Sequence, residues 1–153
     1  MSEIAILDYG AGNLASVQFA FERLGARVHR VSDAAGIDAA ERLVLPGVGA
    51  AAWAMGRLDA LGLSDPIRAF PRPLIGLCLG QQLLFESSAE GDAAMLGLIP
   101  GQVTALTPGP GLTVPHMGWS ALSDLVDDPL TEGVEVGAYV YFVHGFASID
   151  KEQ

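Results

Sequence analysis

The single cysteine of the sequence lies between two glycines, in the segment Gly76-Leu77-Cys78-Leu79-Gly80. The apolar run before it is typical of a buried strand, and the residues after it are typical of a helix. Such a junction has the form of a nucleophile elbow, with cysteine in place of serine. The glycines permit a tight, strained turn, and the N–H groups that begin the helix favour a thiolate and an oxyanion. Cys78 is therefore a candidate nucleophile, although the residues alone also allow a small buried side chain in a core turn.

A second glycine-bearing loop, Gly47-Val48-Gly49, follows the short apolar run Leu43–Leu45. Glycine permits a peptide to reorient. An N–H group in this loop could act with the N–H of Leu79 to hold the oxyanion of a tetrahedral intermediate. Spacing alone does not exclude a simple tight turn.

Phosphate binding by a third such loop, Gly10-Ala11-Gly12-Asn13, is opposed by its spacing. The dinucleotide pattern G-x-G-x-x-G requires a glycine at position 15, where Ala15 stands. No acidic or His/Cys cluster has the spacing of metal ligands. The sequence therefore predicts neither a cofactor nor a metal ion.

Three histidines could supply a base to a cysteine nucleophile. His29 lies within a predicted strand and is expected to be structural. His116 and His144 lie among Gly, Met, Phe and Tyr residues and could line a groove. Neither is followed by a nearby carboxylate that would orient its imidazole, so the residues themselves form no evident triad.

Short apolar runs alternate with helical patterns over the first half of the chain. Strands are predicted at Ile4–Leu7, Arg27–Val31, Leu43–Leu45, Leu74–Leu77 and, later, Tyr139–Val143. Helices are predicted from Leu14 to Leu24, with Asn13 as N-cap and Gly25 as stop, from Ala50 to Leu61, and from about Leu79 to Phe85. This order predicts one α/β domain, residues 1–153, with an open, mostly parallel sheet and helices on both faces. The three glycine-bearing loops then lie at the carboxyl ends of strands, where such sheets place their chemistry.

Composition narrows the class of protein. The 153 residues are 50% hydrophobic and 17% charged, which is typical of a globular domain. A net charge of -10 opposes nucleic acid as a partner, and no apolar run reaches the roughly 18 residues that a membrane span requires. One unpaired cysteine and no leader pattern predict a cytoplasmic location. The acidic surface could suit a basic protein partner or serve only solubility.

Five segments taken together resemble the class I glutamine amidotransferases, and among them the glutaminase subunits of imidazole glycerol phosphate synthase. The resemblance runs from Ile4 to about Phe146. The elbow is shared by the whole class, whereas the N-terminal segment Asp8 to Asn13 and the Pro-His-Met-Gly-Trp segment indicate the histidine-pathway branch. The segments are Asp8-Tyr9-Gly10-Ala11-Gly12-Asn13, Leu45-Pro46-Gly47-Val48-Gly49, Gly76 to Phe85, Pro115-His116-Met117-Gly118-Trp119 and Tyr141-Phe142-Val143-His144.

The resemblance implies that Cys78 attacks the side-chain amide of glutamine, releases ammonia and forms a glutamyl thioester that water hydrolyses. The ammonia would pass to a cyclase subunit built as a (β/α)₈ barrel, which makes imidazole glycerol phosphate and an aminoimidazole carboxamide ribotide. Gln82 and Glu90 match positions that bind the substrate glutamine, and Glu90 suits its ammonium group. Gly47 and Gly49 match the oxyanion loop.

The same resemblance places His116, Met117, Gly118 and Trp119 against the cyclase; a core role for Trp119 is the alternative. Gly145 and Phe146 match glutamine-site positions where the family usually has Ser or Thr followed by Tyr. The change removes two hydroxyls, and backbone contacts could remain.

The family also carries a His-Pro-Glu segment whose His is the general base and whose Glu orients it. The sequence ends at Gln153 before such a segment. We therefore expect an incomplete amidotransferase domain that by itself lacks glutaminase activity and exposes sheet edge and apolar surface.

Three alternatives remain open. One is the glutaminase of another synthase, such as that of pyridoxal phosphate or anthranilate synthesis, against which Pro115–Trp119 argues. Another is a catalytically incompetent binding module with the same fold. A thiol hydrolase that recruits His116 or His144 is the third.

Overall fold

The computed structural model describes residues 2–148. Within this range the chain forms two compact units, residues 2–104 with Ser148 and residues 105–147. The elements in chain order are β1 (Glu3–Leu7), α1 (Leu14–Arg23), β2 (Arg27–Val31), α2 (Ala34–Ala39), β3 (Leu43–Leu45), α3 (Ala51–Ala60), α4 (Ser64–Arg68), β4 (Leu74–Gly76), α5 (Leu79–Gln82), β5 (Phe85–Ser88), β6 (Ala93–Ala94), β7 (Ile99–Ala105), β8 (His116–Ala121), β9 (Tyr139–His144) and β10 (Phe146–Ser148).

The first unit is built on a four-stranded sheet in the order β2-β1-β3-β4. All three strand pairs are parallel, with Ile6 opposite Val44 and Val44 opposite Ile75. The continuous apolar runs of β1 and β3 are buried along their length because helices cover such a sheet. The predicted α/β fold with a mostly parallel sheet is confirmed.

The core of this unit follows the alternation of side chains along β1. Ile4 and Ile6 form one cluster with Val44, and the apolar stripe of α1 packs on it through residues that include Leu14 and Phe21. Ala5 and Leu7 alternate with them and are fully buried. Further buried apolar side chains come from α2, α3 and α4: Ile37, Ala54, Leu58 and Ile67.

The ends of α1 form as local chemistry predicts. The Asn13 side chain accepts a hydrogen bond from the Ser16 N–H, which satisfies a donor of the first turn. Gly25 follows the helix with a φ of 81°, a conformation that favours glycine. The predicted N-cap and stop are therefore confirmed.

The predicted helix from Leu79 to Phe85 is too long. The regular helix α5 ends at Gln82, because the Leu84 N–H bonds to the Gln81 carbonyl and tightens the chain into a turn. Phe85 then begins β5 and lies opposite Ile99 of β7. The apolar residues of so short a segment fit one helical turn as well as two, so the sequence pattern did not show where the helix ends.

Several short elements were not predicted: α2, α4, β5 to β8 and β10. Asp33 caps α2 through its side chain, which accepts from the Gly36 N–H. β5 pairs with β7 in parallel and with β6 in an antiparallel hairpin. Polar and apolar residues do not alternate regularly along these strands, so the sequence pattern does not predict them. Their pairing depends on tertiary contacts.

The second unit contains an antiparallel ribbon of β8 and β9. His116 lies opposite His144, and Ala121 opposite Tyr139. The strand predicted at Tyr139–Val143 is confirmed and extends by one residue. None of the described helices is long and apolar enough to cross a membrane.

Candidate active site

Cys78 lies in a strained turn between the end of β4 and the start of α5. Its φ is 55° and its ψ is -119°, a backbone conformation that is costly for any residue with a Cβ atom. The thiol side chain is exposed. The predicted elbow geometry is therefore present, with an accessible sulfur at the carboxyl end of a parallel strand.

The two glycines around Cys78 are required by close backbone approach. A Cβ atom on Gly76 would overlap the backbone of Gln81, and one on Gly80 would overlap the carbonyl oxygen of Leu45. Leu45 ends β3, so Gly80 permits α5 to lie directly against the neighbouring strand. These glycines hold the elbow against the sheet.

The second glycine-bearing loop is in contact with the elbow. Residues 46–50, between β3 and α3, form what we call the oxyanion loop. A Cβ atom on Gly47 would lie 2.6 Å from the Gly80 nitrogen and 2.9 Å from the Leu79 Cβ, so only glycine fits. Gly49 has a φ of 93° and would have no atom within 4 Å of a Cβ. The structure thus brings together Gly47, Leu79 and Cys78.

Backbone donors remain available at this contact. Within residues 2–148, no backbone carbonyl accepts a hydrogen bond from the N–H groups of Val48, Gly49 or Leu79. Val48 is exposed, and Gly47 beside it is buried. Such N–H groups next to a nucleophile can stabilise an oxyanion.

Tyr9 is a residue of this site that the sequence did not single out. Its side chain is 1% exposed, and its hydroxyl donates a 2.8 Å hydrogen bond to the Pro46 carbonyl at the start of the oxyanion loop. Burial raises the pKa of this hydroxyl to about 12. Its backbone carbonyl accepts from Nε of Arg57 at 3.2 Å, so α3 holds the segment in place. An aromatic residue with a polar end, two residues after a buried strand, was the available signal.

Glu90 reaches the other end of the oxyanion loop. It lies in the turn between β5 and β6, and its Oε2 accepts a 3.1 Å hydrogen bond from the Ala51 N–H. Ala50, the N-cap of α3, offers no side-chain bond to the helix, so Glu90 supplies it from a distant segment. A carboxylate at a helix N-terminus is also favoured electrostatically.

Gln82 ends α5 one turn after Cys78 and is half-buried. Gln82 and Glu90 thus share the first unit with the elbow and the oxyanion loop. Gly145 and Phe146 lie in the second unit, where both are half-buried and the Gly145 carbonyl accepts from the Leu106 N–H. Their part in glutamine binding stays a prediction.

The four predicted partner-contacting residues lie on both faces of the ribbon. Met117 and Trp119 point to one face, where they are 61% and 69% exposed. His116 and Gly118 belong to the other face and are half-buried. Trp119 makes an edge-to-face contact with Tyr141 across the ribbon, with centroids 5.6 Å apart. Its exposure opposes the core role that the sequence left open.

The histidines of the ribbon form a cluster of their own. His116 Nε2 lies 3.2 Å from the Ser120 hydroxyl, and His144 Nδ1 lies 3.0 Å from the Phe146 carbonyl. His29 pairs with Glu3 at 3.6 Å on the surface of the first sheet, in a strand as predicted. Among the residues described, no carboxylate forms an ion pair with His116 or His144. No group of three His, Cys, Asp or Glu residues within 2–148 could hold a metal ion.

Comparison with known proteins adds an independent observation. The model of the glutamine amidotransferase class-I family matches residues 5–153. The protein named imidazole glycerol phosphate synthase subunit HisH of Xanthomonas axonopodis pv. citri is 52% identical over 148 residues, which cover 97% of this chain and 74% of the relative. The protein of the same name from Xylella fastidiosa strain Temecula1 is 52% identical over 147 residues, with 96% and 74% coverage.

Two solved structures share the fold at low sequence identity. A crystal structure of a glutamine amidotransferase superposes with a TM-score of 0.69 at 17% identity, over 95% of this chain and 72% of that one. A Thermoplasma acidophilum protein named for GMP synthase gives a TM-score of 0.71 at 18% identity, over 98% of this chain and 68% of that one.

Proposed function

Because the chain belongs to the class-I glutamine amidotransferase family, we propose that it is the glutaminase subunit of an imidazole glycerol phosphate synthase. It hydrolyses glutamine to glutamate and ammonia. The ammonia passes to a cyclase subunit that forms imidazole glycerol phosphate and aminoimidazole carboxamide ribotide in histidine biosynthesis. Identity of 52% to two subunits of that name, over nearly the whole chain, supports this pathway above the other synthases.

The contact between Gly47 and the Cys78 elbow is the observation that carries the mechanism. The Cys78 thiolate attacks the side-chain amide carbon of glutamine, and the carbonyl oxygen becomes an oxyanion. N–H groups of Leu79 and of the loop at Gly47 to Gly49 stabilise that charge. Collapse of the intermediate breaks the C–N bond. The nitrogen takes up one proton, equal to the one that the thiol gave up on becoming a thiolate, and leaves as ammonia, so that a glutamyl thioester remains. Water then cleaves the thioester to glutamate and restores the thiol.

Substrate selection rests on the groups around the elbow. We propose that Glu90 pairs with the α-ammonium of glutamine through the carboxylate oxygen that does not hold Ala51. Gln82, one turn after the nucleophile, is proposed to bond the substrate. The family resemblance gives a substrate-binding role to backbone groups of Gly145 and Phe146 as well. Glycine and phenylalanine at the last two positions leave only main-chain donors and acceptors there.

The partner is proposed to be a (β/α)₈-barrel cyclase. Exposed Met117 and Trp119 on one face of the ribbon support a protein contact, because large exposed apolar side chains mark interaction sites. His116 and Gly118 would support that face from behind. A net charge of -10 favours a basic partner surface and opposes nucleic acid. The biosynthetic reaction suits a cytoplasmic protein.

The test is the formation of glutamate and ammonia from glutamine, with and without the cyclase and its ligand. In a form of the protein that carries the family's His-Pro-Glu base, we expect turnover with the cyclase, little without it, and none for Cys78→Ala in either case. A Cys78→Ala variant with the wild-type rate would show that the elbow is structural. Stimulation by a different synthase, and by no cyclase, would show that the pathway is wrong.

A further inference from the structure

We propose that Tyr9 is a positioning residue of the glutaminase reaction, because its buried hydroxyl fixes the start of the oxyanion loop through the Pro46 carbonyl. The inference rests on the proposed function and adds a residue to it. Tyr9 touches no reacting atom in this arrangement. Its effect on the reaction passes through the peptide that joins Pro46 to Gly47.

The argument begins with peptide geometry. The peptide bond is planar, so the direction of the Pro46 carbonyl also sets the direction of the Gly47 N–H. The Tyr9 hydroxyl donates to that carbonyl at 2.8 Å, and its ring is 1% exposed. Water therefore has no ready access to compete for the carbonyl. A buried hydrogen bond of this kind defines one orientation of the peptide.

The segment that carries Tyr9 is itself held against the loop. A Cβ atom on Gly12 would lie 3.2 Å from the Pro46 Cβ and 3.7 Å from the Gly47 nitrogen. Arg57 of α3 donates to the Tyr9 carbonyl. The segment from Asp8 to Asn13, which does not match the dinucleotide-binding pattern, thus packs against the oxyanion loop and supports it.

Within the part of the chain that the structure describes, the loop is supported at both ends and not at its middle. Tyr9 holds the Pro46 end, and Glu90 holds Ala51 just after the other end. Between them Val48 is 54% exposed, and a Cβ on Gly49 would meet no described atom within 4 Å. Reorientation of the loop is therefore confined to the peptides around Val48 and Gly49, while Gly47 stays fixed against the elbow.

Two reagents separate positioning of the oxyanion donors from reactivity of the thiol. The γ-p-nitrophenyl ester of glutamate acylates Cys78 through a tetrahedral oxyanion, and p-nitrophenolate leaves without needing a proton. Iodoacetamide alkylates the same sulfur by direct displacement of iodide and forms no tetrahedral oxyanion. The ratio of the two rates therefore reports the oxyanion site alone.

Tyr9→Phe keeps the ring and removes only the hydroxyl. Loss of a direct oxyanion donor costs about 10²- to 10³-fold, so loss of its positioning group should lower the acylation rate by about 10-fold. We expect the alkylation rate and the ester concentration at half-saturation to stay within about two-fold of wild type. Ser64→Ala is the matched control, since Ser64 also buries a hydroxyl, bonded to Asp59, at the start of α4. It should leave both rates unchanged.

Equal falls in acylation and alkylation, no change in Tyr9→Phe, or the same selective fall in Ser64→Ala would overturn the inference while leaving the proposed function intact. Absence of ester acylation in wild type, with Cys78 still alkylated, would overturn both. If Tyr9→Phe does not fold, the wild-type hydroxyl can be observed directly by proton NMR. A slowly exchanging hydroxyl proton with a nuclear Overhauser effect to the α-protons of Gly47, which lie on the same side of the peptide as the Pro46 carbonyl oxygen, supports the inference. Rapid exchange with solvent contradicts it.

Discussion

The Glu90 carboxylate accepts a hydrogen bond from the backbone N–H of Ala51, 3.1 Å away and 39 residues earlier in the chain. The Glu90 side chain therefore caps the N-terminus of α3 and lies beside the C-terminal end of the oxyanion loop. A cap of this kind stabilises a helix by about 1 kcal/mol. If glutamine binds as proposed, its ammonium group and this helix share the same carboxylate.

Two substitutions separate those roles. Glu90→Gln keeps an oxygen for the Ala51 N–H and removes the charge, so the KM for glutamine should rise about 10-fold or more, as expected for loss of a charged hydrogen bond worth about 1.5–3 kcal/mol. Its unfolding free energy should change little. Glu90→Ala should show the same rise in KM and also lose about 1 kcal/mol in urea unfolding.

Glu86→Gln is the control, because the carboxylate of Glu86, on β5, also accepts from a backbone N–H, that of Gly101 on β7. It should leave KM unchanged. A normal KM for Glu90→Gln would remove Glu90 from the glutamine site and leave it as a helix cap only.

Gly80→Ala should prevent the elbow from packing on the sheet. The added Cβ would overlap the carbonyl oxygen of Leu45, which is backbone in a central strand and cannot rotate away. We expect a loss of about 3 kcal/mol, near the upper end for an overpacked core. Chemical denaturation followed by circular dichroism measures it.

Gly56→Ala provides the contrast, since Gly56 lies exposed within α3 with no atom near a Cβ. Alanine there should raise stability by about 1 kcal/mol through helix propensity. Equal stability of the two variants would show that the close approach at Gly80 is not required.

Cys78→Gly should be more stable than Cys78→Ala, although both lack activity. A φ of 55° with a ψ of -119° strains any residue with a Cβ, at a cost of about 1–3 kcal/mol that glycine avoids. At an ordinary helical position the order is reversed, because glycine is about 1 kcal/mol worse than alanine. Ala20→Gly, in the middle of α1, measures the cost of glycine relative to alanine at such an ordinary position. A less stable Cys78→Gly would mean that the elbow is unstrained in solution.

Alkaline pH should destabilise the protein through Tyr9. Burial raises the Tyr9 pKa from 10.0 to about 12, so the neutral phenol is the form that the folded state favours. Below pH 10 the contribution of the neutral Tyr9 phenol to the free energy of unfolding is fully present. Between pH 10 and 12 this phenol ionises in the unfolded chain but not in the folded one, so stability falls as the pH rises. A shift of this size corresponds to a loss of roughly 2–3 kcal/mol.

Urea unfolding from pH 8 to 11 measures that slope. Tyr9→Phe should be less stable at pH 8 and show a flatter decline, since it has no phenol to ionise. Tyr139→Phe, which removes an exposed hydroxyl, should keep the wild-type decline. Identical slopes in wild type and Tyr9→Phe would mean that the hydroxyl is not buried in the folded protein.

Trp119→Ala should weaken binding of the cyclase. The indole is 69% exposed beside Tyr141 and Met117, and exposed tryptophans at interfaces often contribute 2 kcal/mol or more, which is about 30-fold in Kd. Isothermal titration calorimetry measures the change. Leu24→Ala removes another exposed apolar side chain, 82% exposed at the end of α1, and should leave Kd unchanged. An unaltered Kd for Trp119→Ala would exclude this face of the ribbon from the interface.

The sequence by itself determined the elements whose signals are local. Continuous apolar runs gave β1, β3 and β4 their positions, and Asn13 and Gly25 set the ends of α1 through contacts within four residues. The two glycines around Cys78 indicated a strained turn, because glycine permits the tight backbone conformation that such a turn requires. These signals need no knowledge of which segments meet.

Only the tertiary structure decided which groups support the site. Tyr9 and Pro46 are 37 residues apart, and Glu90 and Ala51 are 39 apart, so neither hydrogen bond leaves a periodic pattern in the sequence. The end of α5 at Gln82 depends on β5 pairing with β7. The division of His116 to Trp119 between two faces depends on the register with β9. Such contacts follow from the path of the whole chain, because a hydrogen bond forms only where folding brings donor and acceptor together.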